Sequence, residues 1–89
     1  PCLMCFAAVL LSGIREVVYA YEDPMGGGTC CDLQGLTPLY RRQAVRVVPH
    51  VLRAESLRLF QQFFADPKHT YWRGSYLAEA TLKQDPEAD

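Results

Sequence analysis

The sequence has no apolar run near the ~18 residues a membrane-spanning helix needs, which excludes an integral helical membrane protein. It also lacks an excess of either charge. Nine Lys and Arg stand against ten Asp and Glu, for a net charge of −1, so a strongly basic nucleic-acid module is excluded while a local basic patch is not. The apolar stretch at residues 3–11 has no basic region before it and no small-residue cleavage site after it, as a secretory leader would. No internal repeat and no low-complexity segment is present. At 89 residues the chain holds one small domain at most, with a thin core. A composition 49% hydrophobic and 21% charged argues for a folded chain.

Four cysteines are present, and they are not scattered as in a disulfide scaffold. They form two close pairs, Cys2 with Cys5 and Cys30 with Cys31. The C-x-x-C spacing of the first pair points to metal or redox chemistry in a reducing, cytoplasmic setting. Pro1 is not a natural translation start, and functional spacing begins immediately after it. The expectation is that residues 1–89 form the C-terminal portion of one domain whose upstream half is absent.

Along the chain, residues 2–12 (CLMCFAAVLLS) read as a buried helix, apolar nearly all round, with Pro1 suited to its first turn and Gly13 to its end. Residues 17–21 (VVYAY) and 44–48 (AVRVV) read as parallel strands, the first covered on both faces and the second stopped by Pro49. Three glycines and a proline in residues 22–29 exclude regular structure and predict a flexible loop. A short helical turn fits within 33–42. Residues 55–65 read as an amphipathic helix, with Leu57, Phe60 and Phe64 on one face broadened by Leu59 and Phe63. A last helix is expected over 70–83, with Trp72, Tyr76 and Ala80 aligned. Two strands joined by a long crossover make an α/β sheet, and two strands alone make a poor one.

Pro1-Cys2-Leu3-Met4-Cys5 is the segment with the sharpest chemistry. Cysteines at i and i+3 of a first helical turn share a side, and the unpaired N–H groups there favour thiolate. Two thiolates at this spacing suit Zn²⁺. Spacing alone also allows two buried cysteines, half of a structural zinc site, or a redox dithiol. The bulky Leu3-Met4 pair disfavours the redox reading.

PCLMCFAAVLLSGIREVVYAYEDPMGG resembles the C-terminal half of the zinc-dependent cytidine/deoxycytidylate deaminase superfamily, nearest to its tRNA-specific adenosine deaminase branch. The superfamily signature is H-x-E followed by P-C-x-x-C, and Pro1, Cys2 and Cys5 complete the second part. The likeness runs through the apolar helix, Arg15-Glu16-Val17-Val18-Tyr19, the acidic residue before the glycines and the phenylalanine-rich helix, over roughly residues 1–66. It implies a three-layer α/β/α fold and hydrolytic deamination of a nucleobase, nucleoside, nucleotide or tRNA base. It implies Zn²⁺ held in part by Cys2 and Cys5, and a homodimer. It also implies that Asp23 approaches the substrate backbone, although Glu22-Asp23-Pro24 reads more simply as the start of a turn.

The departure is as specific as the match. His50 is followed by Val51-Leu52 and His69 by Thr70-Tyr71, so neither histidine begins H-x-E. The general acid/base glutamate and the first zinc ligand are therefore expected upstream, and no catalytic residue is assigned within 1–89. Two other readings stay open: a catalytically incomplete deaminase-like subunit that serves as a binding partner, and a C-x-x-C redox protein. Cys30 and Cys31 read as idle or buried, since adjacent side chains diverge. Arg41, Arg42, Arg46, Arg53 and Arg58 read first as a solvated surface paired with Glu55 and its neighbours, with contact to a nucleic-acid backbone as the second reading. His50, His69, Trp72, Tyr71 and Tyr76 read as packing or surface residues.

Overall fold

The computed structural model describes residues 1–88. Helix α1 spans Leu3–Leu11, and the N-cap is Cys2, whose extended backbone leaves its Sγ free to accept a hydrogen bond from the Cys5 N–H. Pro1 therefore precedes the cap and lies outside the first turn. Gly13, at φ +83°, ends the helix in the left-handed region that glycine tolerates best. Only Phe6 and Leu10 of α1 are buried; Leu3, Met4 and Leu11 are exposed, although the sequence predicts burial all round.

Strands β1 (Glu16–Val18) and β2 (Arg46–Val48) pair in parallel, with Val17 opposite Val47. Both are shorter than the apolar runs that predict them. The chain after Val18 still bonds to its neighbour, from the Tyr19 N–H to the Val48 carbonyl at 3.1 Å and from the Val51 N–H to the Tyr19 carbonyl at 3.0 Å. Pro49 has no N–H to extend the ladder, and His50 turns away at φ 67°. Val18 is half exposed, so β1 is not covered on both faces. The connection between the strands contains a 3-10 turn at Leu33–Gly35 and helix α2, Pro38–Arg41, which begins on Pro38 behind Thr37.

Helix α3 runs from Arg53 to Ala65, two residues longer at its start than the hydrophobic pattern predicts. Its N-cap, Leu52, sits at φ 56°. Leu57 is fully buried, whereas Leu59 and Phe60 of the same expected face are exposed. Helix α4 spans Tyr76–Lys83 and packs on α3. It starts six residues later than predicted because Trp72 (φ 57°) and Gly74 (φ 75°) form turns. Ser75 then caps it, its Oγ accepting from the Ala78 N–H at 3.2 Å. Ala78 and Thr81, rather than the aromatic stripe, face the interior.

The core has two separate parts: Phe6 with Leu10 under α1, and Leu57 with Ala78 and Thr81 between α3 and α4. No described helix is long and apolar enough to cross a membrane.

Candidate functional site

The pair at the start of α1 is built by the cap itself. The Cys5 N–H reaches the Cys2 Sγ at 3.5 Å, as the i+3 geometry of a first turn dictates. That backbone bond, reinforced by the Cys5 side chain, holds the Cys2 thiol below its ordinary pKa. Sharing that contact with Cys2 pushes the Cys5 thiol above its own. Cys2 is half-buried, Cys5 is exposed, and neither is in a disulfide.

The glycine loop is not the loose connection the sequence predicts. Cys2 and Gly27 form an antiparallel bridge, and the Gly28 N–H donates to the Pro1 carbonyl at 2.9 Å. Gly28 is buried so closely that a Cβ there would lie 2.5 Å from the Leu3 Cα and 2.7 Å from the Leu3 nitrogen. Those are backbone atoms and cannot step aside. The loop is therefore a brace for the cysteine-bearing turn. Its other end is fixed by Asp23, whose Oδ1 accepts from the Met25 and Gly26 N–H groups, each at 2.9 Å. The Asp23 carboxylate is engaged in its own turn, as the plainer sequence reading has it.

A small cleft of about 130 Å³ opens beside the cysteine turn, lined by Pro1, Tyr19, Glu22, Asp23, Gly27, Thr29 and Cys30. The Tyr19 and Thr29 hydroxyls meet across it at 3.3 Å. Cys30 faces this cleft, whereas Cys31 lines an apolar hollow with Phe6 and Leu10, so the adjacent pair diverges. Among the described residues, no group of three or more His, Cys, Asp or Glu is arranged to hold a metal ion. The two thiols at the helix start do fit a zinc ion chemically, as two soft donors of a four-donor set.

Neither histidine approaches this turn as a third donor. His69 stacks on Phe63 with ring centroids 4.1 Å apart, and its Nδ1 lies 2.9 Å from the Phe63 carbonyl. His50 lies 3.5 Å from the Glu22 carboxylate. Glu22 also takes two bonds from Arg53, at 2.8 and 2.7 Å, and that guanidinium holds its carboxyl below the ordinary range. Arg53 continues to the Gln84 side chain at 2.5 Å. The Gln84 amide bonds the Tyr21 hydroxyl at 3.0 Å, and that hydroxyl meets Thr81 Oγ1 at 2.8 Å. The sequence reading missed this network, which ties the residues after β1 to α3 and α4. Its members leave no local pattern: Tyr21 and Glu22 follow β1, Gln84 lies past the end of α4, and only Arg53 and Thr81 lie within helices.

In comparisons with known proteins, no family model matches the chain and no solved structure matches it. A tRNA-specific adenosine deaminase of Agrobacterium fabrum (strain C58 / ATCC 33970) is 29% identical to it over 68 residues. That alignment takes in 76% of this chain and 45% of the bacterial protein, so the chain spans less than half the length of the relative it matches. The similarity supports a distant relationship to the deaminase family.

Proposed function

We propose that the chain carries two of the zinc ligands, Cys2 and Cys5, of a hydrolytic deaminase acting on a nucleobase, free or within tRNA. The observation that carries this reading is the thiol pair on the first turn of α1, clamped by Gly28, in a chain similar to a tRNA-specific adenosine deaminase. Bound zinc would supply a hydroxide nucleophile near neutral pH. Within this chain, the Cys5 N–H stabilises the Cys2 thiolate, and the Gly27–Gly28 backbone holds the turn in place. Asp23 lines the cleft beside it, and in this reading, as the deaminase resemblance implies, it approaches the substrate backbone.

The remaining donor and the proton-shuttling glutamate come, in this reading, from an upstream half of the same domain with a His-x-Glu segment. The complete domain is a three-layer α/β/α unit that works as a homodimer. The exposed apolar side chains of α1 and the half-exposed β1 are the surfaces such a half would cover. The alternative, a catalytically incomplete subunit that partners another chain, is favoured by the absence of a third donor near Cys2 among the described residues.

Zinc content and covalent mass in one native mass spectrum test the proposal. One zinc per cysteine pair is expected, lost in both Cys2→Ser and Cys5→Ser, together with deamination in the intact protein. Full activity in either variant overturns the ligand assignment. Zinc without deamination moves the reading to the incomplete subunit. A reversible dithiol without zinc moves it to redox chemistry.

A further inference from the structure

Residues 19–23 form one wall of the cleft beside the cysteine turn, where Tyr19, Glu22 and Asp23 all line it. The backbone of this segment is held at its two ends. The Tyr19 N–H donates to the Val48 carbonyl at 3.1 Å, and the Gly27 N–H donates to the Asp23 carbonyl at 3.1 Å. The middle of the segment is held by side chains from two other elements.

Arg53, the first residue of α3, grips both Tyr21 and Glu22. Its Nε and Nη2 donate to the two Glu22 carboxylate oxygens, a paired geometry that is directional as well as strong. The same guanidinium lies 5.3 Å from the centroid of the Tyr21 ring, within cation–π range. Gln84, the C-cap of α4, completes the grip. Its side-chain oxygen accepts from Arg53 Nη2 at 2.5 Å, and its amide donates to the Tyr21 hydroxyl at 3.0 Å. One glutamine thus orients the arginine and the tyrosine together.

Glu22 is also a wall common to two clefts. Beyond it lies a polar cleft of about 530 Å³, lined by His50, Arg53, Gln84 and Ala88. The charged groups facing its carboxylate are Arg53 from α3 and His50, at 3.5 Å, from the turn after β2; Gln84 is neutral. Asp23 is placed by its own turn, through Met25 and Gly26. Both Glu22 oxygens, by contrast, are held by an arginine 31 residues along the chain.

We propose that Arg53 and Gln84 are positioning residues of the candidate site, holding Tyr21 and Glu22 so that the wall beside the cysteine turn keeps the shape its substrate meets. This role rests on the reading of that cleft as part of a deaminase. It gives the end of α4, which lies beyond the stretch of deaminase resemblance, a part in the site.

The test is steady-state kinetics of the intact protein, read by ammonia release from cytosine, cytidine, adenosine and unmodified tRNA. On whichever of these the parent deaminates, Arg53→Gln and Gln84→Ala should each raise KM about tenfold and leave kcat within about twofold, the mark of lost binding rather than lost chemistry. In Arg53→Gln the acid limb of kcat/KM should also move to higher pH, because the Glu22 carboxylate then takes up its proton sooner as pH falls. Arg53→Lys keeps the charge without the fork and should fall between parent and Arg53→Gln. Ser75→Ala removes the cap at the other end of α4; it should lower the melting temperature and leave KM and the acid limb unchanged, which separates positioning from stability. The amide NMR signals of Tyr19 and Asp23 should shift in Gln84→Ala and stay in place in Ser75→Ala, a readout that needs no activity. Gln84→Ala leaves the Arg53–Glu22 pair in place and decides the question should Arg53→Gln fail to fold. A KM equal to the parent's in the positioning variants, unmoved Tyr19 and Asp23 signals, or an equal rise of KM in Ser75→Ala would each overturn this inference while the deaminase reading stands. No ammonia from any of the four substrates would overturn the deaminase reading, and this role with it.

Discussion

At the scale of single residues, Gly28 is the position with the least freedom. A methyl group there collides with the Leu3 backbone, so accommodating it means pulling the loop off α1. Overpacking of this kind costs about 1–3 kcal/mol. Gly28→Ala is therefore expected to lower the melting temperature and to loosen the cysteine turn, and, if the proposed ligand pair holds zinc, to weaken its retention without removing either thiol. Equal zinc affinity and stability in the variant, measured by competition with a chelator and by thermal melting, would show that the brace has no such role. Gly27 and Gly28 illustrate what a sequence leaves hidden. Their composition says that regular structure is excluded, but close approach to a distant backbone is a tertiary fact with no local pattern. Cys2 and Cys5 are the opposite case. Helix geometry puts i and i+3 together, so the pairing of the two cysteines is legible from spacing, whereas the role of Cys2 as the cap, outside the helix, is not.

At the scale of elements, α3 and α4 are held by one buried leucine and a polar network. Leu57 is fully buried, and Leu57→Ala should cost about 2–5 kcal/mol, read by denaturant unfolding. Thr81 is buried as completely, and its hydroxyl bonds Tyr21. Thr81→Val keeps the shape but leaves the Tyr21 hydroxyl short of a partner, a loss of about 1–3 kcal/mol. Glu22 adds a pH dependence. Its carboxyl is held below the ordinary range by Arg53, so the folded state favours the ionised form. The stability this confers is present above the unfolded carboxylate pKa and is lost as pH falls through the lower folded value. Both side chains are partly solvated, so the effect is small, as for exposed pairs generally. Glu22→Gln should flatten the acid limb of the stability profile while leaving the alkaline side unchanged; an acid limb identical to the parent's would assign that slope to other carboxylates. Local sequence located α1, α3 and both strands, α3 by its helical periodicity and the others by apolar, β-branched or aromatic runs. It misplaced the start of α4, since Trp72 and Gly74 adopt left-handed turns that an aromatic stripe at helical spacing conceals. It missed the polar network because partners sixty residues apart, such as Tyr21 and Thr81, leave no periodic trace.

At the scale of the whole molecule, shape and surface point the same way. The radius of gyration is 15.1 Å and the extents are 45 × 24 × 19 Å. A compact chain of this length has a radius near 12 Å. The elongation leaves two small cores that scarcely touch. Leu3, Met4, Leu11, Ile14, Val18, Leu59 and Phe60 lie substantially in water. Between α3 and the turn before α4, a groove of about 320 Å³ is lined by Leu59, Phe60, Phe63, Phe64, Tyr71 and Leu77. A two-stranded sheet with so little covering adds little stability of its own. The physical expectation is a chain whose cooperativity depends on what covers these faces. On its own, at micromolar concentration, it should melt broadly, bind a hydrophobic dye such as ANS, and sediment as more than a monomer as concentration rises. A sharp melting transition that is independent of concentration, from a strictly monomeric chain silent to ANS, would mean that the exposed faces are tolerated as they stand. The reading of this chain as one portion of a larger deaminase domain would then lose its physical support, and the incomplete, self-sufficient subunit would be the better description.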